Sequence, residues 1–208
     1  MTRPLLITDC DEVLLHMVSH FRDWLGEAHD VDFAPFTGDF SAALRRRGSG
    51  DTLRREDVWP LLEGFFESEM HRQTLVPGAD TALAQLSEQA DIVVLTNLGH
   101  HFNEARATQL LGHGIAHRVV TNHGGKGDPV AKLVAEFAPS VTVFVDDLAH
   151  HHASVASHAP EVFRLHMIAE PFVAEKTPPA PAAHARIDDW ASAVPWIEAR
   201  FAGEALLT

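Results

Sequence analysis

Six residues stand where apolar runs of this chain end and a seventh, a lysine, in a glycine-rich loop, and their types suit phosphoryl chemistry. Asp9 and Asp11 follow Leu5-Leu6-Ile7-Thr8; Thr96 and Asn97 close Ile92-Val93-Val94-Leu95; Lys126 sits within Gly124-Gly125-Lys126-Gly127; Asp146 and Asp147 follow Val141 to Val145. In a strand, side chains two residues apart share a face, so Asp9 and Asp11 point the same way. Carboxylates gathered in one small site repel unless a cation joins them. Mg²⁺ fits, because it seeks oxygen ligands and binds through one or two carboxylates together with a phosphate. The Thr96 hydroxyl, with Asn97 and the backbone N–H groups after it, offers a phosphate seat at a helix N-terminus. Lys126 would neutralise a phosphate or an attacking carboxylate. Taken singly, each has an ordinary reading: aspartates in turns, a threonine as a helix cap, a lysine solvated in a glycine loop. Their convergence is what argues for a site.

Convergence requires parallel strands, because a parallel sheet presents the carboxyl ends of its strands at one edge, where ligands bind. The short, continuous apolar run at 4–9 reads as a strand of a sheet buried on both faces, and further strands read at 91–97, 117–121, 141–146 and about 161–167. Helical patterns at 79–89, 101–111, 128–137 and 148–157 alternate with them. The expected fold is therefore α/β, a Rossmann-like parallel core with helices on both faces. Between the first two strands about 60 residues intervene, too many for a loop in a compact domain. They read as helices at 18–29, 39–47 and 55–72. Asp51 to Glu56 offers a capping-type start for the last of these, with Pro60 near its first turn. The predicted organisation is a core from 1–15 and 76–208 with a small helical cap at 16–75. Residues 171–185, with four prolines and five alanines, read as an extended surface segment. A closing helix after Asp188 or Asp189 should be interrupted near Pro195.

Composition narrows the function classes. The formal charge of −13 argues against nucleic acid, whose non-specific binding needs Lys and Arg to neutralise phosphates. No apolar run approaches the roughly 20 residues of a membrane helix. The first residues run straight into a short strand pattern without a secretory signal, and the expected location is cytoplasmic. The single cysteine, Cys10, excludes an intrachain disulfide and a thiolate-rich zinc site. Flanked by aspartates that disfavour a thiolate, it reads as structural. The 15 histidines would move the net charge from −13 to +2 if all were protonated, which bears on solubility in mild acid. The glycine-lysine loop is not a nucleotide-cradling loop, because Gly-x-x-x-x-Gly-Lys-Ser/Thr is absent.

The order Asp-x-Asp, then an apolar run ending in Thr, then Lys, then an apolar run ending in Asp-Asp resembles the haloacid dehalogenase-like hydrolase superfamily over residues 4–168. The helical insertion directly after the first motif resembles its α-helical cap class. The resemblance implies a nucleophile at Asp9 that forms an aspartyl-phosphate, and a general acid/base at Asp11. It implies a phosphate-binding hydroxyl at Thr96, with Asn97 beside it, and a steadying lysine at Lys126. Mg²⁺ would be held by the Asp9 side chain, the Asp11 backbone carbonyl, Asp146 and Asp147. An Asp at position 11 favours a phosphatase, since the true dehalogenases of this superfamily lack it. Glu12 departs from the pattern, which usually has Gly there. The chemistry is coherent by itself: phosphoryl transfer depends on positioning and on stabilising equatorial charge, and a carboxylate nucleophile splits the displacement into two easier steps.

Weaker candidates surround these. His16, His20 and Arg22 follow the first motif, Arg45 and Arg46 begin a basic cluster ending at Arg47, and His100 and His150 follow the later motifs. All are possible contacts for an anionic substrate, and each also has a bland reading as a solvated or helix-capping side chain. Trp24 and Trp59 read as the apolar core of the cap. The expected activity is a Mg²⁺-dependent phosphatase acting on a small phosphorylated metabolite. The alternatives are a phosphotransferase or phosphomutase sharing the aspartyl-phosphate, a phospho-accepting signalling domain, and a binding protein with a vestigial site. The substrate and the oligomeric state are not legible.

Overall fold

A computed structural model describes residues 2–34 and 40–203. In chain order the elements are β1 (Leu5–Thr8), β2 (Leu15–His16), α1 (Val18–Ala28), β3 (Val31–Phe33), β4 (Leu44–Arg46), α2 (Arg55–Ser68), β5 (Thr74–Leu75), α3 (Ala79–Ser87), β6 (Asp91–Thr96), α4 (Asn103–Gly112), β7 (Arg118–Thr121), α5 (Gly127–Phe137), β8 (Thr142–Asp146), α6 (Ala149–His158), β9 (Phe163–His166), α7 (Pro171–Ala174), β10 (Ala185–Arg186) and α8 (Trp190–Phe201). Six strands form one sheet in the order β10-β9-β8-β1-β6-β7, and every pairing in it is parallel. Alternation along the strands divides the core into two layers. Leu6, Val94, Val143 and Val145 pack on α3, α4 and α8 through Leu83, Leu86, Leu110, Trp190 and Ile197. Leu5, Ile7, Val93, Leu95 and Phe144 turn to the other face, against Val130, Leu133 and Val155 of α5 and α6. The fold is thus a Rossmann-like α/β sheet covered on both faces. No helix among the described residues is long and apolar enough to cross a membrane.

The segment between β1 and α3 has its own apolar cluster, built on Phe21, Trp24, Leu25, Val31, Phe33, Leu44, Phe65 and Phe66. It joins the core through the short antiparallel pair β2–β5. Trp24 lies in this cluster as expected, whereas Trp59 is 57% exposed and is not a core residue. The helix expected at 39–47 is not formed over its described part. Phe40–Ala43 makes a single 3₁₀ turn and Leu44–Arg46 pairs antiparallel with Val31–Phe33. Helix propensity in Ala-Ala-Leu-Arg-Arg-Arg yields to a hairpin in which Val31, Phe33 and Leu44 are buried, because packing outweighs propensity. Gly48 and Gly50, at φ 94° and 76°, turn the chain after it. Asp39 lies outside the described residues. Over its described residues the insertion is therefore two α-helices with an antiparallel strand pair, not helices alone.

Other boundaries also differ. The N-cap of α2 is Arg54, which makes no side-chain capping bond, and Pro60 lies beyond the first turn. Helix α8 runs through Pro195 without interruption, capped by Asp189 accepting from the Ser192 N–H at 2.8 Å. Burial of Trp190, Ala193, Val194 and Ile197 offsets the missing proline N–H. The segment 171–185 is not wholly extended: Pro171 opens the short helix α7, and Ala185 joins the sheet edge beside Leu165.

Candidate active site

Sheet register brings the motif residues together. Thr8 pairs with Val145 on one side and Val94 on the other, so the chain after β1 emerges level with Asp146 and next to Thr96. The Asp9 N–H donates to the Val145 carbonyl at 2.8 Å, which continues the ladder one residue beyond the strand. Lys126, at the start of α5, is fully buried. Its Nζ lies 2.8 Å from Asp9 Oδ1 and 2.7 Å from Asp146 Oδ2. Asp9 Oδ1 also accepts from the Cys10 N–H at 2.7 Å, and Asp146 Oδ1 from the Leu148 N–H at 2.9 Å. One carboxylate oxygen from each of Asp9, Asp146 and Asp147 lies within 4.8 Å of the others.

Three carboxylates thus face one ammonium, and their electrostatics show the imbalance. Burial pushes the Asp9 carboxyl up to about 7, against the pull of Lys126 and with a further push from Asp146. Asp147 is raised well above the usual carboxylate value by burial and by the charges of Asp146 and Asp9. Burial also opposes ionisation of Asp146, but Lys126, His151 and His152 outweigh it and hold its carboxyl below the ordinary value. For Lys126, burial is likewise overcome by Asp146 and Asp9, which keep the ammonium charged. A hard dication held by Asp9, Asp146 and Asp147 supplies the charge this oxygen-only cluster lacks, so the donor set fits Mg²⁺. Cys10 is buried and its thiol is pushed up by that burial, in keeping with a structural residue.

Asp11 is placed differently. Its carboxylate is not among the three clustered acids. Arg106 of α4, with no exposed side-chain surface, donates Nη2–H to both carboxylate oxygens at 3.0 and 3.2 Å. Gln73, just before β5, donates to Asp11 Oδ1 at 2.6 Å and accepts from Arg106 Nη1 at 3.0 Å. Arg106 also lies 5.4 Å from the centroid of the Phe66 ring, so this network touches the insertion on two sides. Neither Arg106 nor Gln73 was singled out in the sequence. The available signal was spacing: Arg106 is four residues from Phe102 and from Leu110, on the apolar face of its helix.

Thr96 is buried at the end of β6, and its Oγ1 has no hydrogen-bond partner among the described residues. Asn97 donates to the Gly124 carbonyl at 2.8 Å, lies 3.3 Å from His151 Nε2, and accepts from Asn122 at 2.9 Å. His151 is buried, and burial lowers its pKa to about 4. Beside Asn97 opens a cavity of about 550 Å³, lined from the insertion by Trp59, Leu62 and Phe66 and from the sheet loops by His100, His101 and His123. The exposed Trp59 faces it.

The remaining candidates are dispersed. His100 lines the cavity, with Nδ1 2.7 Å from Thr121 Oγ1. His150 is exposed and its ring lies 4.0 Å from that of His151. His20 Nε2 is 3.0 Å from Thr74 Oγ1, and Arg22 pairs with Asp23 and lies over the Phe172 ring. Arg45 and Arg46 turn to Gly50 and Asp57 within the insertion, and neither lines the cavity. His16 faces Glu170 rather than the aspartate cluster.

The parallel sheet with an acidic carboxyl edge and a helical insertion after β1 defines the fold class, and solved structures share it. A protein from Burkholderia xenovorans assigned as a haloacid dehalogenase-like hydrolase is 14% identical, with a TM-score of 0.62 over 97% of this chain and 99% of that one. A protein from Bacillus subtilis assigned as a haloacid dehalogenase-type hydrolase, whose structure contains magnesium, is 14% identical with a TM-score of 0.60 over 95% and 99% of the two chains. A protein from Lactobacillus plantarum assigned as a phosphoglycolate phosphatase is 13% identical, with a TM-score of 0.58 over 94% and 99%. No protein-family model matches the sequence, and comparison with curated proteins finds no significant match. The chain has the haloacid dehalogenase-like fold. At these identities the activity is argued from the site rather than from the fold.

Proposed function

We propose that this chain is a Mg²⁺-dependent phosphatase that hydrolyses a small phosphorylated metabolite through an aspartyl-phosphate. The observation that carries the reading is the Asp9–Lys126–Asp146 chain, closed at 2.8 and 2.7 Å at the carboxyl edge of a parallel sheet. In this reading an Asp9 oxygen attacks phosphorus and the ester P–O bond breaks. To act as the acid/base, Asp11 must leave the Arg106 and Gln73 bonds that hold its carboxylate; protonated, it would then give a proton to the departing oxygen and afterwards take one from the water that attacks the aspartyl-phosphate. Lys126 keeps Asp9 ionised and in line, while the Thr96 hydroxyl and the Asn97 N–H receive phosphoryl oxygens. Mg²⁺, held by Asp9, Asp146, Asp147 and the Asp11 carbonyl, would neutralise phosphoryl charge. The described residues of 16–75 form the cap, closing over the substrate and excluding water, while those of 1–15 and 76–208 form the core. We place the reaction in the cytoplasm.

Support comes from the donor set, from the unpartnered Thr96 hydroxyl and from relatives of the same fold that include a magnesium-bound hydrolase and an assigned phosphatase. Phosphate release across a panel of phosphorylated metabolites, with and without Mg²⁺, tests the reading. Metal-dependent release from at least one compound is expected; release that ignores Mg²⁺ would refute it. Adding alcohol or sugar acceptors and analysing products separates hydrolysis from phosphoryl transfer.

Metal binding should also be coupled to protons. Asp9 is pushed up to about 7 when no cation is bound, so below that pH a cation must displace its proton. Mg²⁺ affinity is expected to weaken as pH falls through 7, by up to about tenfold per pH unit for the Asp9 proton and more steeply where Asp147, also raised by burial, carries one too. Calorimetry in buffers of different ionisation enthalpy reads this directly. An affinity unchanged between pH 8 and 6 would contradict it.

A further inference from the structure

The turn after β1 holds a second cluster that the phosphoryl chemistry leaves unused. Glu12, at φ 62°, is only 2% exposed. Its Oε1 accepts from the Met17 and Val18 N–H groups at 2.8 and 2.7 Å. Its other oxygen, Oε2, is buried and has no hydrogen-bond partner among the described residues. The Ala169 N–H donates to the Glu12 carbonyl at 2.8 Å, which brings the loop before α7 to this turn and Glu170 with it. One ligand atom from each of Glu12, His16 and Glu170 lies within 4.8 Å of the others. His16 Nδ1 is 3.8 Å from Glu170 Oε2, too far for a hydrogen bond, and this nitrogen is also buried without a partner.

Two carboxylates and an imidazole therefore converge with unspent ligand atoms. No lysine or arginine forms an ion pair with either glutamate among the described residues. A buried polar atom is normally satisfied, and each exception calls for an explanation. His16 Nδ1, 3.8 Å from Glu170, makes no hydrogen bond, and Glu12 Oε2 has no donor among the described residues. A metal ion takes all three atoms at once. The imidazole nitrogen selects its class: Mg²⁺ favours an all-oxygen shell, whereas mixed nitrogen and carboxylate ligands suit Zn²⁺, Mn²⁺, Fe²⁺ or Co²⁺.

We propose that Glu12, His16 and Glu170 form a transition-metal site, distinct from the Asp9–Asp146–Asp147 cluster, that ties the first strand of the insertion to the sheet. Its ligands come from three segments: the turn after β1, strand β2, and the loop after β9. A bound ion would hold the base of the insertion against the core whatever the catalytic activity proves to be, so the inference stands apart from the phosphatase reading.

The test uses Co²⁺ as the probe on the full chain, with excess Mg²⁺ present to fill the oxygen-only cluster. Wild type is compared with His16→Gln, Glu170→Gln and, as a control for the exposed histidine run, His150→Gln. Wild type is expected to bind one equivalent with a visible nitrogen-ligand spectrum. Affinity should fall at least tenfold in both His16→Gln and Glu170→Gln and hold in His150→Gln. Retention of that binding in either of the first two variants, or no binding by the wild type, would overturn the proposal. A second reading on the unmodified protein guards against misfolded variants. At substoichiometric Co²⁺, the His16 ring resonances should broaden before those of His100, His123 and His150. Broadening of any of those three first would also overturn it.

Discussion

Asp9→Asn is expected to lower phosphate release by about 10⁴-fold or more, because the variant keeps the shape of the site and loses the only proposed nucleophile. The amide oxygen can still accept from Lys126 and from the Cys10 N–H, which meet Asp9 Oδ1 at 2.8 and 2.7 Å in the native chain. The fold should not suffer. Two buried carboxylates share one ammonium in the native site, and the substitution leaves a one-to-one Lys126–Asp146 pair. It also removes a carboxyl that burial pushes up to about 7. The urea midpoint of the variant is therefore expected not to fall below that of the wild type. Steady-state phosphate release with denaturation curves on the same samples checks both halves. Activity within about tenfold of wild type would remove Asp9 from the nucleophile's role.

Lys126→Met is expected to be the most damaging single substitution for stability. The side chain has no exposure and bridges Asp9 and Asp146. A methionine of similar length leaves two carboxylates buried without their cation, and breaking a buried pair in this way costs about 3–5 kcal/mol. The pH dependence identifies the cause. Without Lys126 both carboxyls would titrate in the folded chain above their ordinary value of 3.8. An acid whose folded pKa is raised destabilises the fold above that pKa, and protonation relieves the cost as pH falls. The deficit relative to wild type should thus be largest at pH 8 and shrink towards pH 5. Mg²⁺ should also recover part of it, by mass action on the folded state. Urea denaturation at the two pH values decides the matter, and a variant as stable as wild type at pH 8 would show that the Lys126 contacts contribute little.

What could be read in advance followed from local rules. The apolar runs that became β1, β6 and β8 are short and uninterrupted, as strands buried on both faces must be. Asp9, Thr96 and Asp146 therefore had to emerge near one edge once the sheet was parallel. Lys126 was harder to read, since a lysine in a glycine loop is ordinarily solvated; only the seating of α5 on the sheet buries it between two carboxylates. The insertion was misread at 40–47 because alanine, leucine and arginine favour a helix, while the partner strand that converts them into a hairpin lies 13 residues or so upstream. Pro195 misled for the related reason that a local rule about helix breaking ignores what the far side of the helix buries.

By itself, then, the sequence determined the α/β class and placed Asp9, Thr96 and Asp146 at the ends of neighbouring strands, because strand period and turn position are local properties. Tertiary structure alone decided the partners. Arg106 is 95 residues from Asp11, Gln73 is 62 from it, and Asn97 is 54 from His151. It also turned Trp59 outward and set Glu12, His16 and Glu170 around one point. Such pairings depend on how helices and loops seat on the sheet, and that seating is settled by packing across the whole chain, which no window of neighbouring residues contains.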